Sequence, residues 1–234
     1  MNVNPEKKFP KRISSIIKTV GATADREGLS AYIVGGPVRD IFLKAPNYDL
    51  DFVVEGDAIR FAGDLNKTLR GKLTTHRAFK TATIVSGTLR IDVVTARSES
   101  YAAPASYPDV EPGTIKQDLF RRDFTINAMA VSINRKDFGE LVDFYNGLRD
   151  LKKRVIRVMH DKSFIDDPTR IFRAVRFSTR LGFRIEPHTK ALIKKTLLAG
   201  FLGEVNRGRI KKEVELFLNE KRPMKCLEAF SKLI

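Results

Sequence analysis

The sequence predicts an α+β fold: an α/β sheet head followed by an all-helical, strongly basic domain. Two observations carry this. Short apolar runs alternate with helix-period stretches up to about residue 150, whereas everything after about residue 163 reads as helix. The charge is also segregated. Residues 1–150 carry 22 Lys+Arg against 19 Asp+Glu, a balance of +3, and residues 151–234 carry 21 against 9, a balance of +12. The expected division is a helix or linker over 1–30, a sheet domain over 31–150 and a basic helical domain over 151–234.

Taken in order, residues 9–29 form a helix with Ile13, Ile16, Ile17 and Val20 on one face. Ala31 to Val34 is a strand that stops at Gly35-Gly36, and Pro37 suits the start of a helix running through Leu43. Tyr48 to Val54 alternates as a strand, and Asp57 to Arg70 is a helix. Strands follow near Ala82–Ser86 and Arg90–Thr95, joined at Gly87. Residues 98–114 hold three prolines, a glycine and many small polar residues, which predicts a mobile loop. Helices are expected over Ile115–Leu119 and Thr125–Ala130, and a strand over Leu141–Asp143.

Chemistry concentrates at a few places. Asp49 and Asp51 are two apart on a strand and so share a face, while Leu50 and Phe52 point to a core. Paired carboxylates repel unless a cation joins them, and oxygen-only ligands suit Mg²⁺, although a solvent-facing pair at a strand edge would read the same. Asp92, in Arg90-Ile91-Asp92-Val93-Val94, offers a third acid: a proton acceptor, a metal ligand or a surface position on an alternating strand. Gly35-Gly36-Pro37-Val38-Arg39-Asp40 is a strand-to-helix turn whose backbone N–H groups can approach a phosphate, with Arg39 one turn in. It lacks the endings of a Walker A loop and of a dinucleotide fingerprint; an ordinary turn with a surface Arg39–Asp40 pair would look the same.

The stretch from Asp166 to Phe177 carries Asp167, Arg170, Arg173 and Arg176 at intervals of three. With Asp167 as N-cap and Pro168 as first helical residue, these share one face and leave Ile171, Phe172 and Val175 on the other. A carboxylate beside a guanidinium can read the amine and ring nitrogen of cytosine or adenine and reject guanine and uracil, and the remaining arginines suit phosphates. An exposed basic helix with an N-terminal salt bridge would have the same pattern.

Cys226 is the sole cysteine and excludes an internal disulfide framework, which fits a reducing, cytoplasmic setting. His76, His160 and His188 are scattered without metal-ligand spacing. No apolar run approaches the ~20 residues that span a bilayer. A net charge of +15 favours a polyanion as partner, although a solvated basic surface would give the same count.

From about Tyr32 to Leu218 the chain resembles the class II tRNA nucleotidyltransferase and bacterial poly(A) polymerase family. Gly35–Asp40 with Asp49-Leu50-Asp51 looks like its first motif. Arg121-Arg122-Asp123-Phe124-Thr125-Ile126-Asn127-Ala128-Met129-Ala130 is very similar to the second, which contacts the sugar of the incoming nucleotide. Asp143 through Gly147 to Asp150-Leu151 resembles the third, a hinge. Asp166–Arg170 resembles the fourth, which selects CTP and ATP, with Asp166 where the family usually has Glu. Arg207–Glu213 matches the fifth more loosely, a neck helix.

The resemblance implies a polymerase-β-like catalytic head and a helical neck. By it, Asp49 and Asp51 bind Mg²⁺, in a two-metal site, while Gly35, Gly36, Arg39, Arg122, Asp123, Asn127, Asp167, Arg170, Arg173 and Arg176 serve the nucleotide. Residues 98–114 correspond to the family's flexible loop. The implied reaction joins C and/or A from CTP or ATP to the 3′ end of a tRNA and releases pyrophosphate. Poly(A) synthesis and a non-catalytic RNA-binding fragment are the alternatives, and no protein partner is deducible. Family members continue into helical body and tail regions beyond the point matching Ile234, so the resemblance implies a short member or a piece of a longer protein, and the stretch before Tyr32 looks like a linker.

Overall fold

The computed structural model describes residues 1–5, 8–45 and 49–233. The chain divides into two compact units, each discontinuous in sequence. The first comprises Met1–Ser98, Val110–Arg121 and Asn127–Tyr145; the second comprises Glu99–Asp109, Arg122–Ile126 and Asn146–Ile234.

The first unit is built on a seven-stranded mixed sheet. Its strands are β1 (Ala31–Val34), β2 (Leu50–Val54), β3 (Lys72–His76), β4 (Thr81–Ser86), β5 (Leu89–Thr95), β8 (Ala130–Ser132) and β9 (Leu141–Val142). The order across the sheet is β3-β4-β5-β2-β1-β8-β9. β2 and β5 run parallel, with Leu50 opposite Ile91 and Asp51 opposite Asp92. The other neighbours are antiparallel. Helices α1 (Lys11–Glu27), α2 (Gly36–Leu43), α3 (Ala58–Leu69) and α4 (Ile115–Phe120) complete the unit.

Each helix has a visible cause. In α1 the expected apolar face of Ile13, Ile16, Ile17 and Val20 is buried, and Gly28, in the left-handed region at φ +68°, ends it. Asp57 caps α3 by accepting from the N–H groups of Ile59 and Arg60. Thr114 and Gln117 form a capping box at the start of α4, and the Ile115 N–H donates to Glu55 Oε1 at 2.6 Å. Phe52, Phe61, Ile17, Ile33, Leu65 and Ile84 fill the core of this unit, all below 2% exposed.

The second unit contains α5 (Gly147–Lys152), α6 (Ser163–Asp166), α7 (Arg170–Leu181), α8 (Pro187–Leu198), α9 (Arg207–Leu218) and α10 (Pro223–Ser231). Its core gathers aromatic rings. Phe172 stacks on Phe230 with centroids 4.8 Å apart and meets Phe217 edge-on at 5.7 Å.

The structure corrects several expectations. The C-terminal part is not all-helical: β10 (Val155–Ile156) and β11 (Arg184–Ile185) form a parallel pair. Thr125–Ala130 is not a helix but a 3₁₀ turn at Thr125–Asn127 followed by β8. Ile126, Ala128, Met129, Ala130 and Val131 are all fully buried, so no period marks the segment, and pairing with β1 decides its conformation. Within residues 98–114 the chain is partly ordered as strand, since β6 (Arg97–Ser100) and β7 (Asp109–Pro112) make a two-stranded ribbon. β3 was not expected: it is a mostly exposed edge strand with little apolar signal. Of the strand expected over Tyr48–Val54, Leu50–Val54 forms, and Tyr48 lies outside the described residues.

Gly21 is where α1 crosses the backbone of residue 133. A Cβ there would lie 2.1 Å from the Ile133 carbonyl oxygen. Gly21→Ala is therefore expected to lower stability by about 1–3 kcal/mol through overpacking, measured by urea denaturation; an unchanged midpoint would contradict this packing.

Candidate active site

The sheet of the first unit delivers the acids. Asp49 immediately precedes β2 and is exposed; Asp51 is on β2 and half-buried, between fully buried Leu50 and Phe52. Parallel pairing sets Asp92 beside Asp51 on the neighbouring strand. Asp92 is well anchored. Its Oδ1 accepts from the Thr83 hydroxyl at 2.5 Å, and Arg90 donates to it through Nε at 2.7 Å and Nη2 at 3.1 Å. The bond to Asp92 raises the Arg90 pKa above its usual value, with smaller contributions from the charges of Asp51 and Asp49. One guanidinium thus feels all three carboxylates. Among the described residues no three His, Cys, Asp or Glu side chains converge as a complete metal cage. A carboxylate pair of hard oxygens nonetheless suits Mg²⁺, which binds through one or two carboxylates and completes its shell with water and substrate phosphates.

The glycine turn stands beside these acids in the same unit. Gly35 occupies φ +73°, ψ −125°, and its N–H donates to the Met129 carbonyl at 3.1 Å. Gly36 opens α2 and Pro37 follows within its first turn. Arg39 and Asp40 are not the surface pair that the sequence allows: both are buried. Arg39 grips Asp40 through Nε at 2.8 Å and Nη2 at 2.9 Å, and donates from Nη1 to Asn127 Oδ1 at 2.7 Å. The first and second motifs are therefore joined by a buried guanidinium.

The second unit holds the other residues singled out in the sequence. Arg122 is half-buried. Asp123 is buried; its Oδ1 accepts from the Phe124 N–H and its Oδ2 from Arg173 Nε and Nη2, at 2.9 and 2.6 Å. α7 is not an exposed basic helix, because Arg170 and Arg176 are 6% and 8% exposed. Arg170 Nη1 takes the Ser163 hydroxyl oxygen at 2.5 Å. Glu213 of α9 lies 3.9 Å from Arg173 and 3.8 Å from Arg176, and Glu220, just after that helix, lies 3.7 Å from Arg176 and 3.8 Å from Arg180.

This network has the electrostatics of a buried array. Proximity to Asp123 raises the Arg173 pKa further, whereas burial and then the neighbouring Arg173 lower that of Arg176. Burial raises the Glu213 carboxyl. Arg176 Nε and Glu213 Oε2 are buried without a hydrogen-bond partner among the described residues.

Asp167 differs from expectation in its local role. Regular helix begins at Arg170, so Asp167 is not the N-cap of α7; it ends α6 and folds over the intervening turn, accepting from the Thr169 N–H at 3.0 Å and the Thr169 hydroxyl at 2.5 Å. Pro168 lacks an N–H and sits in that turn. The ion partner of Asp167 is Arg209 Nη2 at 2.7 Å. Arg209 also donates to the Ala105 carbonyl at 3.1 Å and lies over the Tyr107 ring. Arg209 and Glu213 were missing from the expected site residues. Their signal was the loosely matching Arg207–Glu213 segment, whose one-turn spacing from Arg209 to Glu213 sets both on one face of α9.

In the first unit a mixed sheet carries paired aspartates at a strand end, next to a glycine turn that opens a helix. Residues 31–157 match the family described as the poly A polymerase head domain. The chain belongs to the tRNA nucleotidyltransferase and poly(A) polymerase family. It is 49% identical over 204 residues, 87% of its length, to the A-adding tRNA nucleotidyltransferase of Aquifex aeolicus, covering 25% of that protein. It is 36% identical to the CC-adding tRNA nucleotidyltransferase of Deinococcus radiodurans, over 82% of this chain and 50% of that one. Among solved structures, an apo form of a CCA-adding enzyme superposes over the whole chain and 56% of its own, with a TM-score of 0.95 and 46% identity. The Thermotoga maritima CCA-adding enzyme complexed with tRNA gives 0.89 and 43%, covering 54% of that chain. The chain thus spans about a quarter to a half of these curated relatives.

Glu213 is the shared acid of the α7–α9 array. Glu213→Ala is expected to cost about 3 kcal/mol, because it strands buried Arg176 beside Arg173. Chemical denaturation checks it; a loss below about 0.5 kcal/mol would show that Glu220 and solvent suffice.

Proposed function

We propose that the chain is the catalytic part of a template-independent tRNA nucleotidyltransferase, adding C and/or A to a tRNA 3′ end from CTP or ATP. The observation that carries this reading is the Asp49/Asp51 pair at the start of β2, with Asp92 in register beside it. Relatives named A-adding, CC-adding and CCA-adding, and solved complexes of CCA-adding enzymes with ATP, with CTP and with tRNA, support nucleotide addition as the shared chemistry. Poly(A) synthesis uses the same bond-making step and differs in product length.

In the reaction, the RNA 3′ oxygen forms a bond to the α-phosphorus, the bond from that phosphorus to the β-bridging oxygen breaks, and pyrophosphate leaves. Asp49 and Asp51 would hold Mg²⁺, which supplies countercharge to the triphosphate and to the attacking and leaving oxygens. Asp92 accepts the hydroxyl proton, oriented by Thr83 and Arg90. The Gly36 N–H at the start of α2 serves the phosphates, the Gly35 N–H being taken by the Met129 carbonyl, and Arg39 serves the turn by fixing Asn127 and Asp40. Arg122 and Asp123 serve the sugar side, as the family motif implies.

Asp167 and Arg170 choose the base, and Arg173 and Arg176 give α7 its positive field toward phosphates. The basic second unit acts as a neck that follows RNA phosphate. No helix among the described residues is long and apolar enough to cross a membrane, and a lone cysteine suits the reducing cytoplasm.

Asp51→Ala tests the reading. Turnover with CTP and ATP on tRNA should fall by about 10²–10³ or more as transition-state charge loses its support, with RNA affinity changed less than about twofold. Retained turnover would remove Asp51 from the chemistry; turnover and RNA binding lost together would point to misfolding, checked by thermal melting.

A further inference from the structure

We propose that Phe120, Phe144, Tyr145 and Lys116 form a stacking platform for nucleotides a few positions behind the RNA 3′ hydroxyl. This rests on the nucleotidyltransferase reading above and assigns a binding site to that reaction. Phe120 and Phe144 are 45% and 49% exposed, high for large apolar side chains gathered in one place.

They are held rather than loose. The Tyr145 ring lies between them, 5.7 Å from Phe120 and 6.2 Å from Phe144, and its hydroxyl donates to the Lys116 carbonyl at 2.9 Å. The Lys116 ammonium sits 5.7 Å from the centre of the Phe144 ring. Half-exposed rings beside a cation suit a base stacked over a backbone phosphate, the combination by which single strands are bound without sequence readout.

The sheet register places this cluster relative to the acids. Val142 pairs with Ala130, and Ala130 with Val34. Val34 lies one residue beyond the Ile33–Phe52 pair, in the row of Asp51. Phe144 and Tyr145 therefore follow β9 at the same end of the sheet as Asp49 and Asp51. Three strand spacings separate β9 from β2, about 14 Å. Asp92 lies one strand further, on β5, so about 19 Å separates it from β9. At ~3.4 Å per stacked nucleotide this is a run of about five or six, and a strand whose 3′ hydroxyl meets Asp92 can lay the bases of that run on the rings. Stacking tolerates any base, which fits an RNA end that changes with each addition.

The test uses RNA ending before, or within, the added sequence, with 2-aminopurine placed in turn at each of the positions three to six behind the 3′ end. Quenching of its fluorescence on binding reads stacking without requiring turnover. Phe144→Ala, and Phe120→Ala on a different element, are each expected to relieve the quenching and raise KM for RNA about tenfold, leaving KM for CTP and ATP unchanged. Phe144→Tyr should restore both. An abasic nucleotide at the probed position should weaken wild-type binding to the same extent, with no further loss on Phe144→Ala. Full quenching and unchanged RNA KM in both alanine variants, with wild-type melting, would overturn the platform. Quenching present without any nucleotide incorporation would keep the platform and reject the enzymatic reading.

Discussion

Carboxylates crowded at one end of a sheet repel, and the arrangement around β2 is organised by that repulsion. Two ionised carboxylates at strand spacing oppose each other by about 3 kcal/mol at an effective dielectric near 20. The parallel β2–β5 register makes Asp51 and Asp92 neighbours, and Asp49 stands next to them on the chain. Arg90 and the Thr83 hydroxyl meet the demand of Asp92. Under the proposed function, Asp49 and Asp51 at the start of β2 are where a divalent cation would gain most. The rest of the first unit keeps that edge in place. Gly35 turns the chain back from β1 beside β2, and buried Arg39 ties α2 to the turn at Asn127.

The second unit solves the opposite problem. On α7, Arg170 and Arg176 are buried and Arg173 is half-buried, and a buried cation is costly unless paired. Asp123, Glu213 and Glu220 supply the pairs. The return is a fixed set of guanidiniums: a planar fork locked by carboxylates reads hydrogen-bond geometry better than a flexible surface side chain. Asp167 is held in the same way, by Thr169 from within its own turn and by Arg209 from α9. Arg209 also touches Ala105 and Tyr107, so one side chain connects residues 99–109 with Asp167 inside this unit.

Most strands and helices of the first unit were legible, because Ile13–Val20, Ala31–Val34 and Leu50–Val54 carry patterns that burial writes into sequence. β8 was not, since a stretch buried on every side has no period and only its partner β1 shows what it is. β3 failed for the converse reason, being an edge with few apolar residues. Of the site, the β2 acids and the spacing along α7 were readable from local rules. That Arg39, Arg170 and Arg176 would be buried was not, because their partners Asn127, Ser163 and Glu213 come from elsewhere in the chain. The start of α7 was misplaced by the rule that Asp-Pro opens a helix; here Asp167 binds the next turn instead.

The most direct measurement is incorporation of each labelled nucleoside triphosphate, supplied singly with Mg²⁺, into tRNAs ending before CCA, after the first C and after the second. Base choice by Asp167 and Arg170 requires incorporation of CTP, of ATP or of both at the ends where they belong, and rejection of GTP and UTP at all three. Incorporation of all four nucleotides would contradict base choice by Asp167 and Arg170. No incorporation at any end, at high RNA concentration and with Mn²⁺ replacing Mg²⁺, would contradict the assignment of nucleotide transfer to the Asp49/Asp51 edge.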